Sequence, residues 1–577
     1  MSQKRLKKIR REEKIEAIKE LVELVSFKQI IKQNWKFLVF LLLGVIGLYL
    51  NSLHGDFVSD DYATIPQNPN IFSFKDGLKG WMGGLINWFL AILFGIKNPV
   101  PYHIFSLLIY LLVLVVSFVF VSLILNQKLA KVTTILFAVL PIHVEAVSWI
   151  AGRPYLINAL FLLLSMVFLI YFLNTGRKKY LYWLFVFIPL AFFAEKTRFA
   201  ALPLLAILYW FSFDNIYKKK INLGKILIIF GCLFLAAVIF IWPALLDRIE
   251  AVNSGINASE SVFYNPFFQY PIAITKYLQL IWFPADLTLY HTMYLIPGWL
   301  NWLILLTFLS LIGISFFKNK KMFFALSFIF LATAPSMAPV KISWLVAERY
   351  VFLGSLGWCM FLSLILENID NKVKNLSIII LILFISVYGI RVFNRNINWQ
   401  TNHNLWVNSC QVSPNSHNAW NNIGDDYDKL AQKEETDEGK YRQYLNAIKG
   451  FTKSTVIKTN YADAYHNRGN IFYKISRLDL ARESYKTAVS FNPMMHQSYL
   501  SLIQIDILLE EYDVASQDLE ILKKIAPTNV QVWYMEAYID IKKNEIEKAK
   551  KILEAIVAQF PEFTDAVNLL KSISNKN

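Results

Sequence analysis

Residues 37–62 read FLVFLLLGVIGLYLNSLHGDFVSDDY, and this stretch decides what kind of protein the chain makes. The run Phe37 to Leu50 carries no charge and follows a basic head, so it reads as a helix that crosses a membrane. Three carboxylates, Asp56, Asp60 and Asp61, come directly after it, where the chain leaves the membrane on its far side. Adjacent carboxylates near low-dielectric surroundings push one pKa up, giving a poised proton acceptor, or share a cation between them. The plain alternative is a solvated loop that happens to be acidic, and the rest of the chain must decide between the two.

Composition points the same way. The chain has 577 residues, 55% hydrophobic, 15% aromatic and only 17% charged, which is too apolar for an ordinary soluble protein. Apolar runs fill residues 37–393, whereas 394–577 is polar and has no run long enough to span. A formal charge of +16 is compatible with nucleic-acid binding, but the lysines sit in short loops between apolar runs and act as a topology signal instead, so no nucleic-acid partner is expected. The three cysteines, Cys232, Cys359 and Cys410, are scattered and support neither a disulfide framework nor a thiolate metal site.

Residues 1–35 carry Lys4, Lys7, Lys8, Arg10 and Arg11 with Ile15, Ile18, Val22 and Val25 at helical spacing, an amphipathic segment expected on the cytoplasmic face. It does not read as a cleavable signal. Further apolar runs lie near 102–125, 132–142, 156–173, 180–194, 199–211, 225–243, 299–317, 322–338, 350–366 and 375–393, about eleven spans in all, several of them short. Alternating sides along this series puts Lys128, Lys131, Arg177 to Lys179, Lys218 to Lys220, Lys318 to Lys321 and Lys372 to Lys374 on the side of the basic head. Positive charge marks the cytoplasm, so the N-terminus belongs there and the acidic loop outside. Pro266 to Tyr290 is interrupted by Pro271 and Pro284 and is expected in the interface, or dipping in and returning.

The outer side then collects every unusual polar cluster. His143 and Glu145 lie two apart, able to converge on one ligand or proton, with Arg153 eight positions on. Glu195-Lys196-Thr197-Arg198 and Glu348-Arg349 stand at membrane edges. Singly, each is explained as a local ion pair or a snorkelling cation. Together they offer a carboxylate base and several cations able to hold phosphate, the set needed to move a sugar from a lipid phosphate. A transporter would call for charges between spans and internal repeats in the membrane half, and no such repeat is visible.

The polar half has its own period. Pro493, Pro527 and Pro561 are 34 residues apart, with Tyr465, Gly469, Phe472, Ala481, Tyr485 and Ala488 filling the aromatic and small slots of one unit. Tyr499, Leu502 and Ala515 fill the next, and Trp533, Ala537 and Ala549 the third. An earlier unit starts at Trp420, Ile423, Gly424 and Tyr427 and is lengthened by the acidic insertion Lys433 to Glu438. This is the tetratricopeptide spacing: a helical solenoid whose groove would hold a protein segment, either acceptor or partner.

With these features in place the chain resembles the transmembrane and tetratricopeptide-repeat O-mannosyltransferases of the GT-C class of polytopic glycosyltransferases, or a prokaryotic relative. The resemblance rests on Asp56-Phe57-Val58-Ser59-Asp60-Asp61, Asn98-Pro99 with Tyr102-His103, Leu140 to Val147 with Gly152-Arg153, Asn265-Pro266-Phe267, Val346 to Tyr350, and Trp399 with Leu405-Trp406 leading into Pro414. Members usually show an Arg-Pro pair where this chain has Trp81 to Asn87, and Lys-Glu where it has Glu195-Lys196.

The apolar runs and the 34-residue period predict an all-α fold, with a transmembrane domain over 36–393 that is GT-C-like by the resemblance, a linker over 394–412 and, by the loop charges, an extracytoplasmic repeat domain over 413–577. The resemblance implies a polyprenyl- or dolichyl-phosphate sugar donor, usually mannose, and transfer to Ser or Thr hydroxyls outside the cytoplasm. Asp60 is the expected general base, with Asp61 tuning it or holding a divalent metal with it. Asp56, His143 and Glu145 would orient the acceptor or metal, and Arg153, Lys196, Arg198 and Arg349 would face the phosphate. A membrane-anchored repeat scaffold for envelope assembly, and a related enzyme acting on a glycan or lipid, are the rival readings.

Overall fold

A computed structural model describes residues 25–175, 177–195, 266–334 and 344–574. The described residues are helical, without strands, and the chain divides into two compact units, Met1–Ser413 and Pro414–Asn577.

In the first unit the long helix α1 (Phe27–Tyr49) opens at Ser26, which forms a capping box with Gln29. The acidic loop follows, containing the short helix α2 (Asp61–Thr64). Next come α3 (Phe74–Lys79), α4 (Trp81–Phe94), α5 (Val100–Ile124) and α6 (Gln127–Ala138), the last capped by the Asn126 side chain. Pro141 cannot continue a helical hydrogen-bond ladder, and the chain bends by 60° before the short helix α7 (Val144–Ser148). The run expected over 132–142 is thus a broken helix, whose second piece carries His143 and Glu145. Then follow α8 (Arg153–Thr175), α9 (Lys179–Ala194), α10 (Pro266–Trp282), α11 (Gly298–Lys318), α12 (Lys320–Thr333), α13 (Gly354–Asp370), α14 (Leu376–Asn398) and α15 (Asn402–Val412).

Five helices among the described residues are long and apolar enough to cross a membrane, six if the bent pair counts as one. The expected runs 199–211 and 225–243 fall outside the described residues, as do Lys196, Arg198 and most of the basic head. Phe40, Phe317 and Ile390 are 81%, 85% and 65% exposed on span-length helices, faces suited to lipid and costly in water. This is a membrane protein. Helix α10 carries Pro271 in its second turn, where the missing N–H forgoes the bond to the Phe267 carbonyl, and buries Ala273, Ile274, Tyr277, Leu280 and Ile281 along one face. Helix α4 contains Trp81 to Asn87, the stretch without the Arg-Pro pair; Gly83-Gly84 and Asn87 interrupt its apolar pattern.

The second unit is four helix pairs and a closing helix. They are α16 (His417–Lys433) with α17 (Asp437–Ile457), α18 (Ala462–Lys474) with α19 (Leu478–Phe491), α20 (His496–Leu508) with α21 (Tyr512–Ile525), α22 (Val530–Lys542) with α23 (Ile546–Gln559), and α24 (Thr564–Ser574). Ala481, Ala515 and Ala549 are fully buried, as small residues at one slot must be for paired helices to approach. The glycine slot is tighter still: a Cβ on Gly469 would lie 2.7 Å from the Tyr485 ring, and one on Gly424 2.7 Å from Phe451. The acidic insertion is absorbed by lengthening the first pair to 17 and 21 residues, against 13 and 14 in the next, with Thr436 capping α17.

Candidate active site

The acidic loop is held by its backbone. Ser59 adopts φ 52°, left-handed and uncommon for a residue other than glycine, and its N–H donates to Asn402 Oδ1 at 2.8 Å. The Asp56 N–H donates to the Gln400 carbonyl at 2.7 Å. These bonds turn Asp60 and Asp61 in opposite directions. Asp61 points inward and is fully buried, its Oδ2 accepting from the Val58 N–H at 3.2 Å and its Oδ1 from the Ala151 N–H at 2.8 Å. Burial pushes its carboxyl up to about 7, against the pull of those two N–H groups and of Arg153. Asp60 stays exposed; the crowded surroundings raise its pKa and the positive charge of Arg349 pulls it back. Asp56 is exposed beside them.

Arg349 follows a short extended segment and sits on a 3₁₀ turn, Glu348–Val351. Its backbone N–H donates to Glu145 Oε2 at 3.1 Å and its guanidinium pairs with Glu145 Oε1. The guanidinium also lies over the rings of Trp149, Tyr155 and Tyr350, at 5.2, 5.8 and 5.0 Å. Glu145 is fully buried, so it positions Arg349 and is not offered to an acceptor or metal. His143 likewise belongs to the interior: its Nδ1 is 2.9 Å from the Tyr110 hydroxyl, its Nε2 2.9 Å from the Ser355 hydroxyl, and it packs between the rings of Phe137 and Phe352. The i, i+2 spacing of His143 and Glu145 does not bring them to one ligand, because the turn sends them to different neighbours.

Behind the acidic loop lies a cavity of about 380 Å³. Its polar lining comes from Thr64, Asn68, Asn70, Asp76, Asn87 and Arg153, and one wall is glycine. That wall is close backbone contact between α3 and α4: a Cβ on Gly84 would lie 2.5 Å from the Gly77 carbonyl oxygen. Arg153 is 1% exposed, its Nε donating to Ser106 Oγ at 3.1 Å and its Nη1 to Asn87 Oδ1 at 3.5 Å, while Nη2 has no hydrogen-bond partner. A buried guanidinium nitrogen left unpaired costs stability unless a ligand completes it.

The sequence had not singled out Asn87, Asn402 or Arg395. Arg395 is fully buried near the end of α14, and its Nη2 donates to Glu348 Oε1 at 2.9 Å, beside Arg349. An arginine at the end of an apolar run was the available signal. As for a metal, both Asp61 oxygens are already taken by backbone donors, and among the described residues no group of three His, Cys, Asp or Glu side chains is arranged to hold a cation.

A tetratricopeptide-repeat family model matches residues 462–493. Protein O-mannosyl-transferase TMTC3 of Homo sapiens is 24% identical over 592 residues, covering 91% of this chain and 61% of that protein. The chain is similar to protein O-mannosyl-transferases. The Mus musculus TMTC3 is 23% identical over 92% of this chain, and protein O-mannosyl-transferase F38B6.6 of Caenorhabditis elegans 23% over 71%. The resemblance read from the motifs is borne out by these relatives, of whose own length the chain spans about three-fifths, 61% to 62%. Among solved structures, the MamA protein is 18% identical over 28% of this chain and 84% of its own, with a TM-score of 0.24. The protein YrrB is 15% identical over 36% of this chain and 97% of its own, with a TM-score of 0.26.

Proposed function

We propose that this chain is an integral-membrane glycosyltransferase that moves a sugar, mannose by resemblance to its relatives, from a polyprenyl- or dolichyl-phosphate carrier to Ser or Thr hydroxyls of extracytoplasmic proteins. The observation that carries the reading is Arg153, a residue of the cavity behind the acidic loop whose buried Nη2 has no hydrogen-bond partner. A phosphoryl group entering there would complete the guanidinium by a charge-assisted bond. Asp60, exposed and with its pKa raised by its crowded surroundings, would take the proton of the acceptor hydroxyl as its oxygen attacks the anomeric carbon. The bond from that carbon to the phosphate oxygen breaks, its electron pair leaving with the carrier phosphate, whose charge Arg153 and Arg349 would meet. Attack opposite the leaving group inverts the anomeric centre.

The lysine-rich loops support a cytoplasmic N-terminus and an outer acidic loop, and by the same parity the repeats, reached after α14, lie outside the cytoplasm and would select protein acceptors or partners. The domain division that goes with this reading is 1–35, 36–393, 394–412 and 413–577. The test is incubation of purified protein with radiolabelled polyprenyl-phosphate mannose and a Ser/Thr-rich acceptor. Label is expected in the protein fraction and is expected to vanish in Asp60→Asn. No transfer from any lipid-linked sugar by correctly folded protein would overturn the proposal in favour of a scaffold.

A further inference from the structure

We infer that Asn402 is a positioning residue for the acidic loop, acting through Ser59 on Asp60; the inference rests on the role of Asp60 proposed above. Three features of one short segment carry it. Asn402 stands at the start of α15, whose cap is the Thr401 hydroxyl, accepting from the Asn404 N–H at 3.1 Å, so the end of the helix that presents Asn402 is itself fixed. From there the Asn402 Oδ1 takes the N–H of Ser59 at 2.8 Å, across 343 residues of chain. The residue it holds is the one whose φ of 52° an L side chain disfavours, and Asp60 comes next.

Three further bonds keep the segment 399–408 in register with its surroundings. The Gln400 carbonyl accepts the Asp56 N–H at 2.7 Å, and its side chain donates to the Asn51 carbonyl at 2.9 Å. Asn408 Oδ1 accepts from Arg395 Nη1 at 2.8 Å, and Arg395 in turn holds Glu348, the neighbour of Arg349. One segment thus grips the loop that carries Asp60 and the turn that carries the cation facing it. Without the Asn402 acceptor, Ser59 has reason to relax to φ below zero, which swings the Asp60 side chain away from its place. Glycine at 59 would not, since it adopts φ near 50° without strain.

The experiment uses the full chain in detergent or nanodiscs, with wild type, Asn402→Ala, Asn402→Asp and the double variant Asn402→Ala/Ser59→Gly. Hydrogen exchange of peptides covering 56–62 is read beside kcat and donor KM. Asn402→Ala is expected to exchange this loop at least tenfold faster and to lose tenfold or more in kcat at unchanged KM. Asn402→Asp, which keeps the acceptor oxygen, should retain kcat but move the acidic limb of its pH profile upward, because the added negative charge holds the Asp60 proton. The double variant should recover most of the lost kcat, which a merely destabilised fold would not. Unchanged loop exchange in Asn402→Ala, or a faster loop with wild-type kcat, overturns the positioning role alone. A wild type with no turnover on any lipid-linked sugar overturns the proposed function, and the role with it.

Discussion

Exchanging Glu145 for Gln should expose how much of the site depends on one buried pair. Glu145 is fully buried and Arg349 only 8% exposed, and the two meet through both the guanidinium and the backbone N–H of Arg349. Removing one member of a buried pair costs ~3–5 kcal/mol, because the other charge stays behind without its partner. Here the Gln oxygen can still accept one donor, and three aromatic rings within 5.8 Å keep facing the guanidinium, so the lower end, about 3 kcal/mol, is expected. Arg349→Gln strands a carboxylate with no such rings and should cost about 4 kcal/mol. The double variant leaves no lone charge and should cost less than the sum by at least ~2 kcal/mol. The assay is denaturant-induced unfolding of the four proteins in the same micelle at neutral pH. Single costs that add to within about 0.5 kcal/mol would refute the pairing as an energetic unit. A second readout follows from charge: with Glu145 neutral, Arg349 bears on Asp60 uncompensated and lowers its pKa, so the acidic limb of transfer should move to lower pH.

Other outcomes are expected elsewhere. Arg153→Lys gives up the Nε bond to Ser106 and the free Nη2, and should raise donor KM roughly tenfold, equivalent to ~1.4 kcal/mol, with the protein still folded. Because the Asp61 carboxyl is raised to about 7 in the fold, its protonated form is the one the fold favours. Its stabilisation is therefore fully present below the unfolded value near ~4 and lost as pH rises to about 7, by up to ~4 kcal/mol, so unfolding curves of wild type across this window should fall while those of Asp61→Asn stay flat. In the repeats, Gly469→Ala would favour a free helix, but here its methyl meets a Tyr485 ring held by a 2.7 Å bond to Asn470 Oδ1, so it should destabilise by ~1–3 kcal/mol, seen as faster proteolytic cleavage within 462–493 of the full chain.

The all-helical architecture was legible because its signals are local or periodic: apolar runs, and prolines 34 residues apart. The acidic loop and the cations were legible as chemistry, since carboxylates and arginines at membrane edges are expensive without purpose. What each side chain faces was not. His143 and Glu145 looked like a pair because sequence spacing is visible and a 60° bend is not. Glu145 meets a residue 204 positions away, a distance at which spacing carries no information. Asn87 and Asn402 escaped notice for a different reason: an asparagine outside a motif looks like any loop or cap residue until the backbone it holds is known.

The bond from Ser59 to Asn402 also has a meaning in time. Chains grow at ~5–20 residues per second, so roughly 20–70 s separate synthesis of the acidic loop from arrival of the side chain that holds it. Throughout that interval the loop is already made, yet Arg349, Arg395 and Asn402 have still to be added. A nascent chain therefore carries the carboxylates of the site in an unclamped state, and the loop takes its shape only after the last described membrane helix is complete. Truncations that end before residue 402 should leave the loop without its Asn402 acceptor, read as faster hydrogen exchange over 56–62 than in the full chain.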